Sequence, residues 1–355
     1  MTRSPWLAVG LGAALAAGAA LGVAAERVVV GRSLRTDPEG DEPFGMLRSP
    51  SMQVRAGDGA ILHVEVDEPL IAVDDLTIIF CHGYCLNLDC WHYQRRDLRS
   101  LGRLVFWDQR GHGRSTRGSV RYGADTIERL GLDLELVLDA VAPDGPVVVV
   151  GHSMGGMTVM ALAGQRPDLF GTRVRGVALL GTSASGLGEV MLGLPAPAAR
   201  IAHRLAPVAA AVLARTDSAQ SLARDRANDL GLLLTRTYSF GSSVSPAINA
   251  FTAEMLASTP LEVMADILPS FEQHDAVASL AAFHGVEGLV MVGTNDLLTP
   301  ASHSREIVRH VPGVEFVELP DTGHMLMLER YPEVNAHLQA LVARVRASVA
   351  GVAAS

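Results

Sequence analysis

The stretch PVVVVGHSMGG, which runs from Pro146 to Gly156, most strongly constrains the fold of this chain. Its first part is apolar and β-branched, as in a strand that is buried on both faces. The residues after Ser153 favour a helix. A sharp strand-to-helix turn of the form G-x-S-x-G would hold the serine oxygen at the carboxyl edge of a sheet. The stretch therefore predicts a nucleophilic serine, and a glycine-rich turn with a capping serine is the alternative.

Apolar runs elsewhere predict the strands and helices that surround this turn. The predicted strands are 52–55, 61–66, 76–81, 104–107, 146–150, 174–180, 288–292 and 314–319. Helical patterns at 125–141, 302–311 and 326–349 alternate with them. Strands that alternate with helices of this length predict a mainly parallel sheet, and the hairpin formed by the first two strands makes the sheet mixed.

The composition changes along the chain and divides it into segments. Residues 26–50 mix charges with prolines and glycines, which predicts a linker. Residues 51–182 and 284–355 contain the alternating strands and helices and predict one core domain. Between these two parts, residues 183–283 read as helices interrupted by prolines, with no predicted strand. They predict a helical insert.

The N-terminal segment 1–25 carries no charge from Pro5 to Ala25. A helix of that length would measure about 31 Å, which is close to the ~30 Å hydrocarbon core of a bilayer. A retained membrane anchor, the apolar region of a signal peptide and a helix of a soluble protein are all open interpretations. We expect membrane association through residues 5–25, and a membrane-anchored or exported protein of the bacterial cell envelope.

Charge and cysteine content restrict the partners. The net charge of −9 excludes a typical nucleic-acid binder, because phosphate binding needs a basic face. Cys81, Cys85 and Cys90 lie in one short stretch. Cys85 and Cys90 could pair in an exported domain, and three free thiols are the alternative. The histidines lack the spacing of a zinc site, so no metal and no cofactor is predicted.

A serine hydroxyl needs a base, and histidine is suited to that role near neutral pH. Asp296 and His324 each come shortly after a predicted strand of the second half of the chain. Loops after parallel strands meet at the carboxyl edge, where Ser153 also emerges. We therefore predict Ser153 as the nucleophile, His324 as the base and Asp296 as the acid that orients it. Asp321 is the weaker alternative for the acid, because it lies so close to His324 in sequence.

An oxyanion hole requires two N–H donors near the nucleophile. The backbone N–H of Met154, at the start of the predicted helix, is one candidate. The other is the N–H of Tyr84, in the sequence His82-Gly83-Tyr84 that ends a predicted strand. Gly83 would give the backbone room to approach a substrate, and His82 would brace the loop. An ordinary strand-ending turn is the alternative interpretation of this tripeptide.

Five motifs follow one another along the chain. They are HGY at 82–84, DQRGHGRS at 108–115, GHSMGG at 151–156, GTNDLLTP at 293–300 and DTGH at 321–324. With these motifs, residues 51–345 resemble the α/β-hydrolase family, in particular its esterase, lipase and peroxidase-like members. The resemblance implies a mostly parallel eight-stranded sheet with helices on both faces and a helical lid between strands 6 and 7. A serine at position 153 departs from the epoxide hydrolases and haloalkane dehalogenases, which carry aspartate there.

The resemblance and the predicted triad together imply a serine hydrolase that cleaves carboxylic esters through an acyl-enzyme. The insert is rich in apolar residues, which favours a small-molecule ester with an apolar acyl chain, lipid and acylglycerol esters included. Two alternatives stay open. The same triad could serve a cofactor-free perhydrolase or haloperoxidase, a thioesterase or a carbon–carbon hydrolase. The scaffold could also belong to a binding protein without catalytic activity.

Overall fold

An eight-stranded sheet forms the centre of the protein, which the computed structural model describes over residues 37–69, 74–119, 126–187, 232 and 234–353. The order of the strands is β1-β2-β4-β3-β5-β6-β7-β8. β1 pairs antiparallel with β2 and β2 with β4, and the other neighbours are parallel. The predicted mixed, mostly parallel sheet is confirmed. Its strands are β1 (Ser51–Arg55), β2 (Ile61–Asp67), β3 (Thr77–Cys81), β4 (Arg103–Trp107), β5 (Val147–His152), β6 (Val174–Leu180), β7 (Glu287–Gly293) and β8 (Glu315–Leu319).

Helices cover both faces of the sheet. Alternate residues of a strand point to opposite faces, so the core has two halves. Ile79 and Val149 pack on one side with α2, α3 and α6, whereas Phe80 and Val150 pack on the other side with α1, α7 and α8. These helices, with two more from the connection after β6, are α1 (His92–Asp97), α2 (Thr126–Val141), α3 (Met154–Gln165), α4 (Pro246–Ser258), α5 (Leu261–Gln273), α6 (Ala301–His310), α7 (Leu326–Glu329) and α8 (Tyr331–Ala353).

The central strands β3 and β5 are buried along their whole length. Both of their faces lie under helices, which is why their sequences are continuous apolar runs rather than alternating patterns. Burial of one such Val, Leu or Ile side chain contributes ~1.5–3 kcal/mol to stability. All three cysteines are buried and free, including the two whose pairing was an open interpretation.

The helix predicted at 326–349 is in fact two helices. Arg330, with φ −130° and ψ 44°, separates α7 from α8. Pro332 follows two residues later and has no N–H to donate to the carbonyl of Leu328. A continuous helix would therefore lack a hydrogen bond at this point and would place the proline ring against the preceding turn.

The described part of the connection between β6 and β7 contains the helices α4 and α5. Ile248 and Met255 of α4 pack into one half of the core, and Val263 and Ile267 of α5 into the other. Residues 188–231 and 233 of the predicted insert 183–283 lie outside the described ranges. We call residues 181–286 the β6–β7 connection. Its role as a lid stays a prediction.

The prediction of a membrane-anchored protein is corrected by the structure. No helix in the described ranges is both long enough and apolar enough to span a bilayer, and this includes α8 with its 23 residues. The segment that prompted the prediction, residues 5–25, lies outside those ranges.

The second part of the predicted linker 26–50 packs against the core domain. Phe44 stacks on Phe251 of α4 with ring centroids 4.8 Å apart. The Nε2 atom of His92 lies 2.9 Å from a carboxylate oxygen of Glu42. Arg48 forms an ion pair with Asp89. These contacts attach residues 42–48 to the segment 89–92 at the start of α1 and to the β6–β7 connection.

Candidate active site

The backbone at Ser153 adopts a rare conformation between β5 and α3. Its φ of 52° and ψ of −119° lie where residues with a side chain are seldom found. Hydrogen bonds on both sides hold the residue there. The Ser153 N–H donates to the carbonyl of Leu180 (3.0 Å), and the hydroxyl of Thr182 donates to the carbonyl of Ser153 (2.7 Å). Strained backbone that is fixed in this way is concentrated at functional sites.

Glycines on either side of Ser153 permit the turn. A Cβ on Gly151 would lie 2.6 Å from the carbonyl oxygen of Gly155, so β5 could not approach α3 as closely. A Cβ on Gly155 would collide with the carbonyl of Cys81 at the end of β3. Both positions therefore require glycine for close packing, as the G-x-S-x-G pattern indicates.

The structure brings Asp296 and His324 together. The Nδ1 atom of His324 lies 2.8 Å from Oδ2 of Asp296. Asp296 also accepts hydrogen bonds from the N–H groups of Leu298 and Thr299 (2.9 Å each) and from the Thr299 hydroxyl (2.8 Å). Burial alone would raise the pKa of Asp296, but the neighbouring His324 and these donors lower it below its usual value. An ionised Asp296 favours the tautomer of His324 with the proton on Nδ1, which leaves Nε2 free to accept a proton. Asp321 is exposed on the surface.

The loop after β3 passes directly over the serine. A Cβ on Gly83 would lie 3.2 Å from Cβ of Ser153. His82 braces this loop: its Nε2 accepts the N–H of Gln109 (2.9 Å), and its Nδ1 donates to the carbonyl of Gly83 (2.7 Å). The hydroxyl of Tyr84 donates to the carbonyl of Met264 in α5 (2.7 Å), so the loop is also attached to the β6–β7 connection.

Met154 is the first residue of α3. The first N–H groups of a helix have no acceptor within the helix, and they attract negative charge. The N–H of Met154 follows Ser153 directly and can therefore serve an anion at that point. The structure thus places the loop of His82 and Gly83 against the start of α3.

A cavity of about 400 Å³ opens at this place. Ser153 and His324 lie on its wall, together with Tyr84. A volume of this size is typical of pockets that bind small organic molecules. Most of the other lining side chains among the described residues are apolar, namely Leu86, Met157, Leu187, Leu234, Leu256, Leu268, Phe271, Leu298 and Met325. No three His, Cys, Asp or Glu side chains in the described part of the chain are grouped as metal ligands.

Residues 77–331 match the family model described as alpha/beta hydrolase fold. The chain belongs to the α/β hydrolase fold family. The predicted fold class and the prediction of an α/β-hydrolase enzyme are therefore confirmed at the level of the family.

Individual proteins that match this α/β hydrolase have low sequence identity to it or cover only part of it. The dihydrolipoyllysine-residue acetyltransferase component of the acetoin cleaving system of Pseudomonas putida is 26% identical over 274 residues, which cover 75% of this chain and 63% of the relative. Lipase LipV of Mycobacterium tuberculosis is 36% identical over 137 residues, or 38% of this chain and 49% of the lipase. Both matches span less than two thirds of the relative's length. The crystal structure of the enol-lactonase from Burkholderia xenovorans LB400 has 26% identity and a TM-score of 0.62, and it covers 83% of this chain and 100% of the lactonase.

One residue of this α/β hydrolase site, Thr299, was missed by the sequence analysis. Thr299 contributes both its N–H and its hydroxyl to Asp296. The Asp-x-x-Thr spacing in GTNDLLTP is a local turn signal that could have identified it. His152, which precedes the proposed nucleophile, has a structural contact here: its Nε2 lies 2.9 Å from the carbonyl oxygen of His324. It thereby supports the loop that carries His324.

Buried neutral histidines make the stability of this α/β hydrolase depend on pH. Burial lowers the pKa of His152 to about 3 and the pKa values of His112 and His274 to about 4. The unfolded chain takes up these protons below ~6.5, whereas the folded protein does not. The stabilisation is therefore complete above pH 6.5 and is lost as the pH falls toward 4. We expect the free energy of unfolding to fall between pH 6.5 and 5 by roughly 1 kcal/mol per pH unit for each histidine.

Urea denaturation followed by circular dichroism at several pH values would measure this slope. His274→Gln is a matched variant, since Nε2 of His274 lies 3.2 Å from the carbonyl oxygen of Ser183 and a glutamine amide can also donate there. The variant should reduce the slope by roughly 1 kcal/mol per pH unit. A stability that stays constant between pH 7 and pH 5 would contradict the expected burial of neutral histidines.

Proposed function

We propose that this α/β hydrolase is a serine esterase that cleaves carboxylic esters with an apolar acyl chain through an acyl-enzyme. One observation carries the proposal. Ser153, in its strained turn, and His324, which is bonded to the buried Asp296, lie on the wall of one mainly apolar cavity. A nucleophile, a base with an orienting acid and a space for an apolar group are the parts that ester hydrolysis needs.

The proposed reaction has two halves. In the first, Oγ of Ser153 attacks the ester carbonyl carbon while Nε2 of His324 takes the hydroxyl proton. The N–H groups of Tyr84 and Met154 stabilise the oxyanion that forms. The C–O bond to the alcohol then breaks, and His324 gives its proton to the leaving alcohol. In the second half, His324 takes a proton from water, the hydroxide attacks the acyl-enzyme, and Ser153 regains its proton as the acid leaves.

Asp296 has an electrostatic role in this scheme. The imidazolium that forms at His324 lies beside an ionised carboxylate, which stabilises the positive charge. The low pKa of Asp296 keeps the carboxylate charged at neutral pH. The carboxylate also keeps the ring of His324 in one orientation, because it is itself held by Leu298 and Thr299.

The lining of the cavity supports an apolar acyl chain. Side chains from α4 and α5, such as Leu256 and Leu268, face the same cavity as Ser153. None of the described lining residues is an arginine, so a phosphate or coenzyme A group would find no cationic partner among them. The names of two relatives, a lipase and an enol-lactonase, are consistent with ester substrates, since a lactone is an internal ester.

Hydrolysis of p-nitrophenyl acetate, butyrate and octanoate tests the proposal, with an apolar lactone in the same panel. Each methylene buried in the cavity is worth ~0.8 kcal/mol, or about fourfold in kcat/KM. We therefore expect kcat/KM to rise from acetate to octanoate.

Leu256→Gln should lower kcat/KM for octanoate by about tenfold relative to acetate, because it places a polar amide in the cavity wall. Leu132→Gln is the matched control, since Leu132 is exposed on α2 and does not line the cavity. An optimum at acetate would contradict the apolar acyl chain. A complete absence of ester and lactone hydrolysis would contradict the esterase.

A further inference from the structure

The carboxylate of Glu329, at the end of α7, collects four hydrogen-bond donors. It accepts the N–H groups of Gly241 (3.1 Å to each oxygen), Ser242 (2.6 Å) and Gly323 (2.7 Å). The hydroxyl of Ser242 donates to it as well (2.6 Å). Hydrogen bonds from backbone N–H groups to an ionised carboxylate are stronger than those between neutral groups. Glu329 is therefore well attached to two chain segments that are distant in sequence.

These two segments are the β6–β7 connection and the loop of His324. Gly241 and Ser242 lie in the connection before α4, and Gly323 immediately precedes His324. Their backbones are in direct contact. A Cβ on Gly323 would lie 2.5 Å from the nitrogen of Gly241, and a Cβ on Gly241 would lie 2.6 Å from the nitrogen of Gly323. No side chain fits between the two segments, and the carboxylate of Glu329 bonds to both and so holds them in contact.

Further hydrogen bonds extend the junction to both flanks of His324 and to the loop of Asp296. The N–H of Met325 donates to the carbonyl of Ser239 (2.8 Å). The side-chain amide of Asn295 donates to the carbonyl of Gly241 (3.3 Å). The residues before and after His324 thus both depend on the β6–β7 connection for their position. Glu329 makes the largest number of these bonds.

We propose that Glu329 is a positioning residue that fixes the β6–β7 connection against the His324 loop and so sets the place of the proposed base. The inference rests on the proposed function, because it concerns the base of that reaction. Glu329 acts through Gly323 and its role is to place Nε2 of His324 relative to Ser153. A displacement of about 1 Å in a catalytic group can lower the rate by about 100-fold.

Glu329→Gln, with Glu333→Gln as its matched control, tests this role. A glutamine side chain has one acceptor oxygen, and its NH₂ group would face an N–H donor. Glu333, in the first turn of α8, pairs with Arg330 and takes no part in the hydrogen bonds of the junction described above. We expect Glu329→Gln to lower kcat for p-nitrophenyl butyrate by about 10- to 100-fold per fluorophosphonate-reactive site. KM should stay within about twofold, because Glu329 does not itself line the cavity, and Glu333→Gln should match the wild type.

Hydrogen exchange supplies a readout independent of activity. The amides of Gly241, Ser242 and Gly323 should exchange faster in Glu329→Gln, whereas those of β3 and β5 should not change. A folded Glu329→Gln protein with wild-type kcat per site would overturn the proposal. So would a kcat loss that disappears once the number of reactive sites is counted, since this would indicate a role in stability alone.

Ser242→Ala decides the question if Glu329→Gln does not fold. It removes one exposed hydroxyl donor and leaves the backbone donors in place. A reduction of kcat by about threefold with an unchanged melting temperature would support the proposal, and wild-type kcat would overturn it. Failure of the esterase proposal would look different: wild-type protein would hydrolyse no ester, and Ser153 would not be labelled by the fluorophosphonate.

Discussion

Ser153→Ala is expected to lower kcat for p-nitrophenyl butyrate by about 10⁶-fold, because the variant has no nucleophile to form an acyl-enzyme. The small remaining rate would come from stabilisation of the oxyanion and from binding. The fold should be unaffected, since alanine also fits the turn between β5 and α3, and the bonds that hold it there involve the backbone. Stopped-flow or long-duration assays of p-nitrophenol release would measure the loss.

Labelling with a fluorophosphonate adds an assay that does not depend on the substrate. The wild-type protein should carry the label on the peptide that contains Ser153, and Ser153→Ala should carry none. Ser258→Ala is the control, since the Ser258 hydroxyl donates to the carbonyl of Met255 within α4 and does not line the cavity. Retention of substantial activity by Ser153→Ala, or a label on another residue, would refute the proposed nucleophile.

Asp296→Asn is expected to lower kcat by about 10⁴-fold at neutral pH. The substitution keeps the size of the side chain, but it removes the charge that stabilises an imidazolium at His324. An amide can also donate to Nδ1, which favours the tautomer with the proton on Nε2, where it cannot take the proton from serine. Thr299 would still donate one hydrogen bond to residue 296, so the loop should keep its shape. The pH dependence of kcat/KM, measured for both proteins, would show the change.

Asp321→Asn provides the matched control. Asp321 lies in the same loop as His324 and was the weaker candidate for the orienting acid. It is exposed, and its φ of 51° is one that asparagine tolerates. The kcat of the Asp321→Asn variant should lie within about twofold of the wild type, because most surface substitutions have small effects. A larger loss in Asp321→Asn than in Asp296→Asn would reverse the assignment of the acid.

The parts of the fold that the sequence predicted well are those encoded by local patterns. Val147 to Val150 form a continuous apolar run because both faces of β5 are covered, and such a run can be recognised without knowing what covers it. Gly151 and Gly155 likewise mark the turn at Ser153 through their own lack of a side chain. The pairing of Asp296 with His324 could also be predicted from the sequence, because loops after parallel strands meet at one edge of the sheet.

The contacts that the sequence did not predict join residues that are distant along the chain. Glu329 is bonded to Gly241 across 88 positions, and its partners are backbone N–H groups, which every non-proline residue carries. The residue types at these positions therefore do not indicate that such a hydrogen bond will form. The packing of Phe44 on Phe251 belongs to the same class, because the stretch around Phe44 has a composition typical of a linker. The break at Arg330 depends on one proline within a strong helical pattern.

The long C-terminal helix α8 has a consequence for the order in which the protein matures. It packs against β6 and β7, toward the β8 edge of the sheet, and Asn335 accepts a hydrogen bond from Gln94 of α1. A ribosome that has delivered everything up to β8 has therefore still not supplied the helix that covers one face of β6 and β7. Ser153 is synthesised well before α8, so β6, the strand beside β5 in the sheet, is covered on that face only when α8 docks.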